Sequence, residues 1–128
     1  MFVYRIEHPD SGKGPYTHQY DCAPYNRVRN ALDYTQISNN HPGMWKDLKP
    51  VNGFCREEHY CAFESFTMLC AWFTRDALQV IHDAGFICNI YSVDEHSVSR
   101  GKYQVGLLKC NAALVDSIAI DDLLIMYA

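Results

Sequence analysis

Two short helices written back to back, from Ser65 to Gly85, constrain this chain more than any other stretch. Ser65 is a good N-cap, because its hydroxyl can accept one of the orphan N–H groups of a first turn. Phe66, Leu69, Cys70 and Phe73 follow it at helical spacing. Thr74 caps a second helix, with Asp76 in the first turn, where the helix dipole favours an acid. Ala77, Leu78, Ile81 and Ala84 form the buried face of that helix, and Gly85 is a natural C-terminal stop. Helices this short are marginal alone in water and need an apolar surface to lie on. Phe86 to Val93, an apolar run directly after the stop, offers one as a buried strand.

The rest of the sheet is read from alternation. Phe2 to Glu7 is a strand that turns Val3, Arg5 and Glu7 one way and Phe2, Tyr4 and Ile6 the other. Arg5 among apolar neighbours is costly unless it is paired or lines a cleft. His8 to Gly14 is a turn-rich loop with Asp10-Ser11-Gly12 at its tip, and Pro24 and residues 26–34 suggest a further helix. Residues 38–59 are irregular, with Pro42, Pro50 and Trp45 in them. Tyr60 to Phe63 is a short strand, Asp94 to Arg100 a polar connection and Lys102 to Lys109 another strand, placed as a neighbour of 86–93. Leu114 to Ile120 is read as a last strand, with Asp121 and Asp122 opening a terminal helix. Strands and helices without regular βαβ alternation argue for α+β. The expected fold is one domain over 1–128: a twisted, mainly antiparallel or split sheet with the helix pair of about 65–84 packed on it.

Size and charge narrow the function. The 128 residues match the size of one domain, long enough for a core without staples. Hydrophobic residues make up 48%, yet no run approaches the roughly 18 apolar residues of a membrane helix. Charge comes too early in Met1-Phe2-Val3-Tyr4-Arg5 for a signal peptide, so a soluble cytosolic protein is expected. A net charge of −4 and a pI near 5.8 argue against a general nucleic-acid binder. They suit a protein that docks on a basic partner.

Six cysteines stand at 22, 55, 61, 70, 88 and 110. In a reducing cytosol they stay thiols, and Cys70 and Cys88 lie inside apolar patterns as small core residues. Cys55, His59 and Cys61 are soft ligands that a zinc ion could use with Cys22 or His41, but the spacing matches no standard knuckle. No metal and no cofactor is expected.

Several short motifs together resemble small accessory proteins of bacteriophages and prophages. They are Tyr4-Arg5, Gly14-Pro15-Tyr16, His41-Pro42, Phe63-Glu64-Ser65 running to Trp72-Phe73, and Gly101 to Val105 with Gln104 before Val105. More distantly, their order is similar to the ADP-ribosyltransferase fold. That family uses an arginine or histidine on an early strand, a serine or tyrosine on a middle strand and a glutamate on a late one. The resemblance implies that Arg5 takes a diphosphate, whose oxygens suit a guanidinium fork, and that Ser65 supports a ribose. Tyr16, Trp45 or Tyr60 would stack on a base. Gln104 stands where that family keeps its glutamate. A carboxylate stabilises an oxocarbenium-like centre and accepts a proton, and an amide does neither well. Gln104 therefore favours binding over turnover, unless Glu58, Glu64 or Glu95 substitutes.

Each residue also has a plainer reading. Arg5 pairs with Glu7, Asp94 or Asp116; Ser65 is a helix cap; Gln104 is an exposed strand residue; and the nine tyrosines serve a core or a protein-binding face. No histidine among 41, 59, 82 and 96 sits beside an evident nucleophile pattern, and no catalytic residue is assigned. The expectation is a phage or prophage protein of the bacterial cytosol that inhibits a bacterial antiviral-defence protein by stoichiometric binding through an acidic, aromatic face. The alternative is an ADP-ribosyltransferase-like protein that binds NAD or a related nucleotide through Arg5, Tyr16, Ser65 and Gln104.

Overall fold

A computed structural model of the chain describes residues 1–12, 14 and 59–127. The expected helix at 26–34, Tyr16, Trp45, Cys22, His41, Cys55 and Glu58 lie outside the described residues.

Strand β1 (Phe2–Glu7) pairs antiparallel with β3 (Ile87–Val93), which pairs on its other side with β6 (Ala112–Ile118). A second antiparallel sheet has the order β2 (His59–Ala62), β5 (Val105–Leu108), β4 (Ser99–Arg100). Among the described residues, one backbone bridge links the two sheets. Tyr4 N–H donates to Phe63 O, and Phe63 N–H donates to Tyr4 O, both at 2.8 Å. The architecture is α+β with split antiparallel sheets, as the alternation patterns imply.

Helices α1 (Phe66–Trp72) and α2 (Arg75–Asp83) form where their caps put them. Ser65 Oγ accepts from Met68 N–H, and Thr74 Oγ1 accepts from Ala77 N–H, each at 3.1 Å. Gly85 ends α2 at φ +91°, a left-handed conformation that a side chain resists. With α3 (Ile120–Tyr127), these helices bury Leu69, Trp72, Phe73, Leu78, Ile81 and Leu123 against one face of the first sheet, reached through Ile6 and Cys88. The opposite face supplies Val3, Tyr91 and Val93 to a second core, shared with Ala62, Val105 and Leu107 of the other sheet. β1 and β3 thus lie between two apolar layers. No helix among the described residues is long and apolar enough to cross a membrane.

Four details differ from the sequence reading. The strand placed at Lys102 to Lys109 is confined to Val105–Leu108, because Gly101 N–H donates to Gln104 O at 2.9 Å and closes a hairpin over Lys102 and Tyr103. The connection at 94–100 holds a 3₁₀ turn (Glu95–Ser97) and its own two-residue strand, β4. β3 and β5 are not neighbours, since β1 and β6 occupy both edges of β3. The last strand ends at Ile118, and Ile120 enters α3 as a fully buried residue.

Candidate functional site

Arg5 is the centre of the anticipated site, and β1 carries it inward at 4% exposure. Its Nε donates to Glu7 Oε2 at 2.8 Å, two residues along on the same strand face. Nη1 donates to Cys61 O at 2.8 Å and Nη2 to Gly12 O at 3.3 Å. The Tyr60 ring lies over the guanidinium, 5.0 Å from Cζ to the centroid, a favourable cation–π position. Gly14 packs so closely that a Cβ there would stand 3.3 Å from Nη2. A single guanidinium therefore holds the outgoing chain at Gly12–Gly14 and the returning chain at Tyr60–Cys61.

Glu7 is equally enclosed at 3% exposure. Its Oε1 accepts from Asn89 Nδ2 at 2.5 Å and from the Tyr91 hydroxyl in a very short contact. Asn89 Oδ1 in turn accepts from Ser117 Oγ at 2.6 Å. A buried ion pair is tolerable when its remaining lone pairs are satisfied in this way. Burial, followed by the hydrogen bond and charge of Glu7, pushes the Tyr91 hydroxyl up to about 12. Burial also pushes the Cys88 thiol up to about 12, with Cys70 and Glu7 adding to it, and raises Cys70 as well. Neither thiol is placed as a ready nucleophile.

Among the described residues, Tyr60 lies over the Arg5 guanidinium, while Ser65 and Gln104 make other contacts. Ser65 Oγ is occupied as the cap of α1. Gln104 is buried at 2% exposure beside the β4–β5 hairpin, not exposed on its strand. Neither Arg5 nor Ser65 hydrogen-bonds Gln104. A cavity of about 230 Å³ between α1 and the hairpin is lined by Met68, Ala71, Trp72, Lys102 and Tyr103, and by none of those three residues. Glu64 and Glu95, the stand-ins for a late glutamate, both pair with Arg100 Nη2 on the surface, at 3.2 and 3.3 Å. No metal-binding group of three or more His, Cys, Asp or Glu occurs among the described residues.

Sequence reasoning missed the feature that faces outward. Among the described residues β6 is an edge strand, and five consecutive residues of it, Ala113 to Ser117, are exposed. Leu114 is 56% and Val115 51% exposed. The register passes from Tyr91↔Leu114 to Ile90↔Asp116, so Val115 is the extra residue of a β-bulge. The only signal in the chain was an apolar pair, Leu114-Val115, followed directly by an acid.

No solved structure and no curated protein sequence matches the chain. The family model described as the bacteriophage T4 Y00F protein matches residues 1–121, a span that covers both sheets, α1, α2 and the opening of α3. The chain belongs to the bacteriophage T4 Y00F protein family.

Proposed function

We propose that this phage protein is an accessory factor that works by stoichiometric binding to a bacterial protein of the antiviral defence, which it inhibits. The observation that carries the reading is the β6 edge. Two adjacent apolar side chains, Leu114 and Val115, stand more than half exposed on a strand that, among the described residues, has a neighbour on one side only. Large exposed apolar groups that recur together mark interaction surfaces more often than scattered single ones do. Arg5 already donates to Glu7, Gly12 and Cys61, and Ser65 caps its helix, which gives both residues structural uses. The net charge of −4 suits a basic partner face and speeds encounter with it.

The test is capture from lysate of the bacterial host, followed by sedimentation of the purified complex. The expected result is one bacterial protein at fixed stoichiometry, together with restored plating of a defence-sensitive phage when the protein is expressed in a defence-bearing host. Monomeric behaviour in every lysate, with no effect on plating, would overturn the proposal.

A further inference from the structure

We infer that Leu114 and Val115 are an anchor pair that enters an apolar pocket rimmed by lysine or arginine on the bacterial partner, with side chains and not the strand backbone making the contact. The inference rests on the binding reading above and names the surface and the chemistry of its partner.

The first argument is the bulge. In a regular strand, neighbouring side chains point to opposite faces. The extra residue at Val115 breaks that alternation, and bulges at sheet edges serve to re-aim side chains. Here two consecutive apolar residues are exposed to nearly the same degree.

The second argument concerns the edge itself. An open edge invites strand addition unless something blunts it. Tyr4 bonds Phe63 in the second sheet, so Val3 and Arg5 are the residues of β1 that bond β3. On β3, Asn89 and Tyr91 therefore turn their backbone groups toward β1, while Cys88 and Ile90 turn theirs toward β6. Ile90 is opposite Asp116, so the N–H of Ser117 points away from the sheet. Asp116 Oδ1 accepts that N–H at 2.8 Å. The edge is capped at the Ser117 N–H and its register is broken at Val115, two features that disfavour the addition of a regular strand.

The third argument is charge. From Cys110 to Ala128 the chain has no lysine or arginine, and Asp116, Asp121 and Asp122 are all exposed. A two-fold contact with a second copy through this strand would set carboxylates against one another. A pocket with a basic rim fits both the apolar pair and Asp116, which directly follows it, within a stretch that carries no positive side chain.

The experiment places a photo-crosslinking amino acid at position 114 or, as a control on the helical side, at 75, and exposes the full chain to host lysate. In parallel, Leu114→Lys with Val115→Lys, and Asp116→Lys with Asp122→Lys, are tested for capture of the same bacterial protein. The expected result is a crosslink from 114 and not from 75, with capture weakened at least tenfold by either pair of substitutions. Unchanged urea midpoints would show that all variants are folded. Undiminished capture by the Leu114→Lys, Val115→Lys variant, with crosslinks from another face, would overturn the anchor assignment while leaving the binding reading intact. Capture of nothing by the unmodified protein would sink the binding reading, and this inference with it. A dimer in sedimentation that dissolves on Leu114→Lys would make a second copy the occupant and also overturn the inference.

Discussion

Arg5 and Glu7 lie two residues apart on β1, on its same face, and form an ion pair of 2.8 Å in which both side chains are almost completely buried. Neighbours at i and i+2 share a strand face, so the pair is preset by the strand conformation itself. Arg5 spends its remaining reach on Gly12 and Cys61, and Glu7 spends its own on Asn89 and Tyr91. The two charges therefore tie β1 to β3 on one side and to the loop and β2 on the other.

Removing one member of this pair leaves the other buried and uncompensated. Arg5→Met is expected to cost about 3–5 kcal/mol of stability, at the scale of broken buried pairs. Arg5→Met with Glu7→Leu is expected to cost less than the two single changes combined, a coupling that urea denaturation of all four proteins in the cycle would measure. Strict additivity would mean that the pair is not an energetic unit.

Ser65 is expected to behave as a cap. Ser65→Ala should cost about 1 kcal/mol, and Ser65→Asp should recover most of it, since aspartate caps as well and also suits the helix dipole. Thermal melts would check this. A stability unchanged by Ser65→Ala would free the hydroxyl for another role.

Alkali should unfold the protein early. The Tyr91 hydroxyl rises from 10 to about 12 in the fold and the Cys88 thiol from 9 to about 12. Both folded groups hold their protons more tightly than the unfolded chain does. Their contribution is complete below pH 9, declines as pH rises through the window from 9 to 12, and is gone above it. Urea midpoints measured from pH 8 to 11 should fall, and Tyr91→Phe should flatten the slope above pH 10 at the expense of lower stability at pH 8. An equal slope in the variant would count against the Tyr91 assignment.

Gly85 holds φ at +91°, and a Cβ there would also meet His8 Nε2 at 3.4 Å. Gly85→Ala is expected to destabilise by about 1–2 kcal/mol and Gly85→Asn by less, because asparagine tolerates left-handed backbone. Denaturation midpoints of the two variants, ranked against the parent, decide it.

Elements that declare themselves locally were legible in the sequence. Ser65, Thr74 and Gly85 carry the cap and stop chemistry of α1 and α2 within a few residues of where it is used. The alternation of Phe2–Glu7 put Arg5 on one face with Val3 and Glu7, and Glu7 stood among its candidate partners. Pairing was less legible, because a strand's pattern states which face is buried but not which strand lies beside it. β3 accordingly lost its expected neighbour to β6. β4, at two residues, is too short to show a period. Asn89 and Tyr91 went unassigned although they stand at alternate positions of a buried strand, the one place where polar groups must find a charge to serve. The bulge at Val115 is a property of two strands in register, so neither strand alone encodes it visibly.

The pairing of β1 with β3 also sets a timetable for the growing chain. Phe2–Glu7 is synthesised well before its partner, which begins only at Ile87. At translation speeds of about 5–20 residues per second, that strand waits roughly 4–16 seconds for its ladder. During this interval Arg5 and Glu7 are hydrated charges on an unpaired segment.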